Sequence, residues 1–98
     1  MVNIEHTPNP DTLKFLPGKK VSEIGPVEFL KSDKNIKVAL ANSILALDGT
    51  LMVFFGEDFI TVKKEKDLQW NDLKHSIISE INDYYLKGHS VVLKKESN

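Results

Sequence analysis

A chain of 98 residues is the length of one domain. Its 13 basic and 14 acidic side chains leave a net charge of −1, and the basic ones are scattered, which argues against nucleic acid as the main partner; no apolar run is long enough to span a bilayer as a helix. The lack of cysteine excludes disulfides, thiolate metal sites and cysteine nucleophiles within these residues.

Val2 to Thr7 places Val2, Ile4 and His6 on one side and predicts a first strand. Pro8-Asn9-Pro10-Asp11 then stops it. Two prolines in three residues fix φ twice and push Thr7 and Asn9 into extended geometry, while Asn9 and Asp11 can bond their own backbone. Thr12–Leu16 resumes a strand pattern and ends at Pro17-Gly18, so the first two strands form a wide hairpin around a stiff loop. Lys19 to Asp33 keeps neither a strand nor a helix period and reads as an irregular connection with at most a short strand at Val27–Phe29. A first helix is predicted to start near Ser32-Asp33, either of which can cap it. Ile36, Leu40, Ile44 and Leu47 form its stripe, and Asp48-Gly49 ends it.

The densest apolar run is Leu51–Val62, two β-rich arms interrupted by Gly56-Glu57-Asp58. With Glu57 and Asp58 as the loop pair, Phe55 faces Ile60 and Val53 faces Val62. That register gathers Leu51, Val53, Phe55, Ile60 and Val62 on one face and leaves Met52, Phe54, Thr61 and Lys63 on the other. A one-residue slip would mix the faces. Lys63-Lys64-Glu65-Lys66-Asp67 reads as a solvated strand end and turn. A second helix is predicted from Asp67–Asn71, with Leu73, Ile77, Ile81 and Tyr84 or Tyr85 as its stripe and Gly88 just past its end. His89–Leu93 reads as a last edge strand or the start of a linker, and the polar residues 94–98 as a loose tail.

The element order β-β-α-β-β-α predicts an α+β, two-layer sandwich: a four-stranded antiparallel sheet with both helices on one face. The other face is then open to water and carries Met52 and Phe54. An exposed apolar pair on such a face marks a protein interface; the alternative is that the Lys19–Leu30 connection folds across and buries it. The loop Pro8, Asn9, Pro10 and Asp11 either fixes the first hairpin or serves as a recognition element that is rigid before it binds.

His6, His75 and His89 lack partners at helical spacing, the serines lack a nucleophile-elbow context, and the glycines form no phosphate loop. Nothing in these residues points to an enzyme. Direct iron binding through the three histidines and nearby carboxylates is the weaker chemical alternative.

Thr7-Pro8-Asn9-Pro10-Asp11-Thr12-Leu13-Lys14-Phe15-Leu16-Pro17-Gly18 resembles the opening signature of the N-terminal domain of Nfu/NifU-like iron–sulfur scaffold proteins. Leu40-Ala41 and Leu47-Asp48-Gly49 resemble that domain's first helix and exit, Val53–Val62 its hairpin, and Trp70-Asn71-Asp72-Leu73-Lys74 the start of its last helix. Two residues depart: Glu57 and His75 stand where the family commonly has proline. The resemblance implies a domain over residues 1–89, with 90–98 a tail or the start of a linker. In the family the cluster is held by a Cys-x-x-Cys motif in a separate C-terminal domain, so no cofactor is expected on this chain. It also implies a non-catalytic role in cluster assembly and delivery, through contact with the cluster domain and with apo-protein clients or assembly proteins. Pro8, Asn9, Pro10, Asp11, Met52 and Phe54 are the candidate contact residues. A stand-alone interaction module unrelated to clusters is the alternative. The expected setting is the bacterial cytoplasm, or the mitochondrial matrix for a processed chain.

Overall fold

The central hairpin takes the register that collects its apolar side chains: Phe55 opposes Ile60 and Val53 opposes Val62. Its arms are β4 (Thr50–Phe55) and β5 (Ile60–Lys64), closed by a Gly56 N–H to Phe59 carbonyl bond of 2.9 Å. The computed structural model describes residues 1–96. Around the hairpin stand β1 (Asn3–His6), β2 (Thr12–Leu16), β3 (Val27–Leu30), α1 (Ala39–Leu45) and α2 (Trp70–Leu86). The strands form one antiparallel sheet in the order β1-β2-β5-β4-β3.

The sheet therefore has five strands, where four were expected. The connection after Gly18 lacks a regular period and Gly25-Pro26 interrupts it, so the short strand allowed at Val27–Phe29 is not counted in the sheet; it forms, over Val27–Leu30. Val27 and Phe29 alternate with Glu28 and Leu30, and β4 offers an open edge. Pairing Val27 with Phe55 and Phe29 with Val53 satisfies that edge and packs Phe29 edge-on against Phe55, with ring centres 6.0 Å apart.

One hairpin residue changes side. Leu51 was expected on the apolar face, but the ladder runs Thr50 to Lys64 and then Met52 to Lys63. Leu51 is the extra residue of a β-bulge and is exposed, while Thr50 takes the inward position. The Thr50 hydroxyl, fully buried, lies 2.9 Å from the carbonyls of both Ile44 and Leu47 at the end of α1. The bulge thus places a buried hydroxyl where it adds a donor to two carbonyls that also accept from the Leu47 N–H and the Lys31 ammonium.

One cluster contains the inward side chains of β2, β4 and β5 together with Leu40, Ala41 and Ile44 of α1 and Leu73, Ile77 and Ile81 of α2. Both helices thus cover the same sheet face. α1 begins at Ala39, later than the Ser32-Asp33 start expected from capping. Asp33 is engaged elsewhere: its carboxylate accepts the Leu30 N–H at 2.8 Å, and its own N–H bonds the Leu30 carbonyl at 2.9 Å. Asn35 then takes φ 63°, a left-handed turn that a helix cannot pass through. Ile36 still packs against the core from outside the helix. α2 keeps the predicted stripe, and Gly88 follows it at φ 101°.

After α2 the chain returns to the domain. Val92 and Leu93 donate to the Val21 carbonyl at 2.9 and 3.0 Å, and Leu93 accepts from Glu23 at 2.8 Å. Residues 91–93, for which the sequence leaves open a last edge strand or the start of a linker, lie along the 21–23 connection with one parallel bridge between Ser22 and Leu93, and Val21 and Leu93 are both in the core. The Tyr84 hydroxyl donates to the Val91 carbonyl and that of Tyr85 to the Lys20 carbonyl, each at 2.8 Å.

Burial, and secondarily Tyr84 beside it, pushes the Tyr85 phenol from its usual 10 up to about 12. The folded state thus holds this proton more tightly than the unfolded chain. The resulting stabilisation is intact below pH 10 and is lost as pH rises through 12. Urea midpoints should fall across that window, and Tyr85→Phe should flatten the fall relative to the parent chain. An unchanged slope in the variant would rule Tyr85 out as its source.

Candidate functional site

The loop joining β1 to β2 is tied by hydrogen bonds at Thr7, Asn9, Pro10, Asp11 and Thr12. Asn9 Oδ1 accepts the Asp11 N–H at 2.9 Å, the turn that its side chain favours. The Asn9 carbonyl takes the Thr12 N–H at 3.0 Å, and Thr7 Oγ1 takes the Asn9 N–H at 3.2 Å. The hydroxyls of Thr7 and Thr12 bond each other across the loop base.

From below, the Trp70 indole N–H donates to the Pro10 carbonyl at 2.9 Å, and the Lys64 N–H to the Asp11 carbonyl at 2.8 Å. The Lys64 ammonium lies 3.3 Å from Asp11 Oδ1 and 5.6 Å from the centre of the Trp70 ring, with its side chain only 6% exposed. The strand end expected to be solvated thus buries one of its two lysines. Alternation along β5 decides which one: Ile60, Val62 and Lys64 point inward, while Thr61 and Lys63 point outward. A charged residue at an inward position was the one sequence signal that could have flagged Lys64.

Of the six candidate contact residues, Pro8, Asn9 and Pro10 are exposed at the loop tip. Asp11 is turned to Lys64 and belongs to the loop's support. Met52 and Phe54 are half-buried on the sheet face opposite the helices. The Lys19–Leu30 connection does not cover that face: it rounds the far end of the sheet, where Val21 N–H bonds the Glu57 carbonyl at 2.7 Å, and then enters the sheet edge as β3.

The hairpin register already sets Lys63 on this surface, although not among the contact residues; Phe59 and Leu30 complete it, and of these Leu30 carries no signal in the sequence. The Phe59 ring folds over Gly56, where any Cβ would collide with it. It stacks on Phe54 with centres 6.0 Å apart and 24° between planes, and the Lys14 ammonium sits 4.3 Å from the Phe59 ring centre. Leu30, 42% exposed, pairs with Met52.

The loop lies at one end of the sheet, braced from the helix side by Trp70 and Lys64, and its base borders the ridge on the outer face. Thr12, at the loop base, and Met52 both register with Lys63. A single strand separates them, which is about 10 Å at the usual strand spacing. The chain's return along residues 21–23 lies at the opposite end, by the β4–β5 turn.

His6, His75 and His89 are exposed and separate, with His89 stacked on Tyr84 at 4.2 Å. Among the described residues no group of three or more His, Cys, Asp or Glu gathers to hold a metal. The ion pairs Lys20–Glu57 at 3.2 Å and Lys14–Glu5 at 3.7 Å are solvent-facing and contribute little.

These features define an open-faced α+β domain with a braced loop and an apolar ridge on one side. The chain belongs to the family described as "Scaffold protein Nfu/NifU N terminal", which matches residues 2–88. It is 40% identical over 96 residues to NifU-like protein 5, mitochondrial, of Arabidopsis thaliana, covering 98% of this chain and 35% of that protein. It is 39% identical over 95 residues to the NFU1 iron-sulfur cluster scaffold homolog, mitochondrial, of Homo sapiens, covering 96% and 37%. The chain thus spans about a third of the length of these curated relatives. The solution structure of a NifU-like protein from Saccharomyces cerevisiae superposes with a TM-score of 0.85 at 26% identity, covering 98% of this chain and 86% of that one. Protein SAV1430 from Staphylococcus aureus does so with a TM-score of 0.70 at 27% identity, covering 82% and 96%.

Proposed function

We propose that this domain serves iron–sulfur cluster assembly and delivery by protein–protein contact, and that it neither ligates the cluster nor catalyses a reaction. Two observations support this reading: the Pro8–Pro10 tip is braced at one end of the sheet, and the Met52–Phe54 ridge is left uncovered on the face opposite the helices. A loop already fixed by its own hydrogen bonds loses little entropy when a partner docks.

The cluster itself is cargo. Its irons take thiolates, the chain has no cysteine, and its histidines are apart. These residues do not fit a cluster, and the role assigned here needs none of them to ligate. The contacts proposed are with the cluster-bearing domain of the same protein and with apo-protein clients or assembly proteins. The mitochondrial designation of the plant and human relatives supports a matrix setting over a bacterial cytoplasm.

The test uses the 98-residue chain and a separately produced Cys-x-x-Cys cluster domain of a relative. The parent chain should bind it, and Met52→Asp with Phe54→Ser should weaken binding by about tenfold or more, since desolvated apolar anchors dominate such contacts. Circular dichroism of the double variant should be unchanged. Equal binding by both chains, or collapse of the variant's fold, would reject the assignment. A parent chain that ignores the cluster domain would favour the stand-alone module.

A further inference from the structure

The outer face of the sheet carries four charged side chains on its strands: Glu5, Lys14, Lys63 and Glu28. Two of them cancel, because Lys14 pairs with Glu5 at 3.7 Å and also lies against Phe59. Lys63 and Glu28 take part in none of the ion pairs found among the described residues. They stand on opposite flanks of β4, Lys63 across from Met52 and Glu28 across from Phe54. Two strand spacings separate the two flanks, about 10 Å. That is the width of an α-helix with its side chains, about 10–12 Å.

The nearer sheet edge does not suit an added strand. Along β3, Asp33 already occupies both the N–H and the carbonyl of Leu30, and Pro26, just before the strand, has no N–H to offer. The face, by contrast, is an apolar strip along β4 with Leu30 and Phe59 extending it. Its other side already packs against helices.

From this geometry we infer that the face takes an amphipathic helix from a partner protein. The helix lies along β4 with its apolar stripe on Leu30, Met52 and Phe54, an acidic flank on Lys63 and a basic flank on Glu28. The inference rests on the reading of this face as a contact surface and adds the shape and charge of what binds. A helix with one acidic and one basic flank meets both free charges, and the order of its flanks sets its direction along β4.

Three synthetic helices of equal length with the same leucine stripe provide the test. One has a Glu flank and a Lys flank, one has Glu on both flanks, and one has Lys on both. Titrated into the isotopically labelled 98-residue chain, the mixed helix should bind about tenfold tighter than either other, the scale of a few complementary charges. Its shifts should centre on Met52, Phe54, Thr61 and Lys63. In Lys63→Glu, whose flanks are both acidic, preference should pass to the helix with two Lys flanks. Equal binding of all three, no binding, shifts centred on the helical side, or an unaltered preference in Lys63→Glu would overturn the inference. So would concentration-dependent self-association through this face, which would make a second copy its occupant. The Met52/Phe54 experiment reads contact with a cluster domain whatever its shape, so it can succeed where this one fails.

Discussion

Asp11→Ala should destabilise the fold by about 3 kcal/mol, because it leaves a buried ammonium without its partner. The Lys64 side chain is 6% exposed and that of Asp11 18%, so water cannot replace the lost carboxylate without opening the loop. The second bond of Lys64, to the Glu65 carbonyl at 3.2 Å, is to a neutral group and does not balance the charge. Asp11→Ala combined with Lys64→Met should recover most of the loss, since replacing both members of a buried pair by apolar atoms is often nearly neutral. Urea unfolding of the three variants measures this. The chain's single tryptophan reports on it directly, because Trp70 touches both Lys64 and the loop. A loss below about 1 kcal/mol for Asp11→Ala would mean that the pair behaves as a surface ion pair. The functional consequence separates the loop's parts: Asp11 variants should weaken contact by loosening the tip, while changes at Pro8 or Pro10 act on the tip itself.

Gly49→Ala should cost about 2–3 kcal/mol, for two reasons that can be measured apart. Gly49 sits at φ 93°, where a side chain is strained by about 1–2 kcal/mol. A Cβ there would also run into Leu68 Cδ1. The turn cannot easily shift, since the Gly49 carbonyl accepts the Glu65 N–H at 2.9 Å and so ties the exit of α1 to the end of β5. Gly18→Ala is the control: φ is 73° and nothing lies within 4 Å of the added carbon, so only the conformational part should remain. Adding Leu68→Ala to Gly49→Ala should relieve the collision and leave the backbone strain. If Gly49→Ala and Gly18→Ala unfold at the same urea concentration, Leu68 has yielded and the packing part of the argument fails.

The elements legible in the chain were those whose evidence lies among near neighbours. Alternation in Thr12–Leu16 and in the hairpin, and the 3.6-residue spacing of Leu73, Ile77 and Ile81, report a buried face without knowledge of what covers it. The resemblance carried by Thr7–Gly18 likewise depended only on consecutive residues, and it led to the family. The loop's rigidity was partly visible, since proline and asparagine constrain their own backbone.

Other features depended on distant partners. The pattern of Val27–Phe29 allows a short strand, but nothing near it says that β4 has a free edge to receive that strand. Nothing near Leu51 says that the Thr50 hydroxyl meets the carbonyls of Ile44 and Leu47, so the bulge is not legible locally. Asp33 is a sound helix cap by local rules, but Leu30 takes its carboxylate. Asp11 resembled an exposed contact residue until Lys64, 53 positions away, was placed beneath it. Amino-acid order by itself determined β1, β2, the two hairpin arms and α2, and, Leu51 apart, which face of the hairpin and of α2 would be apolar, because those follow from short-range periodicity and backbone sterics. Only the tertiary structure decided where unsatisfied backbone groups and buried charges find partners, because hydrogen bonds and ion pairs require proximity in space, whatever the separation along the chain.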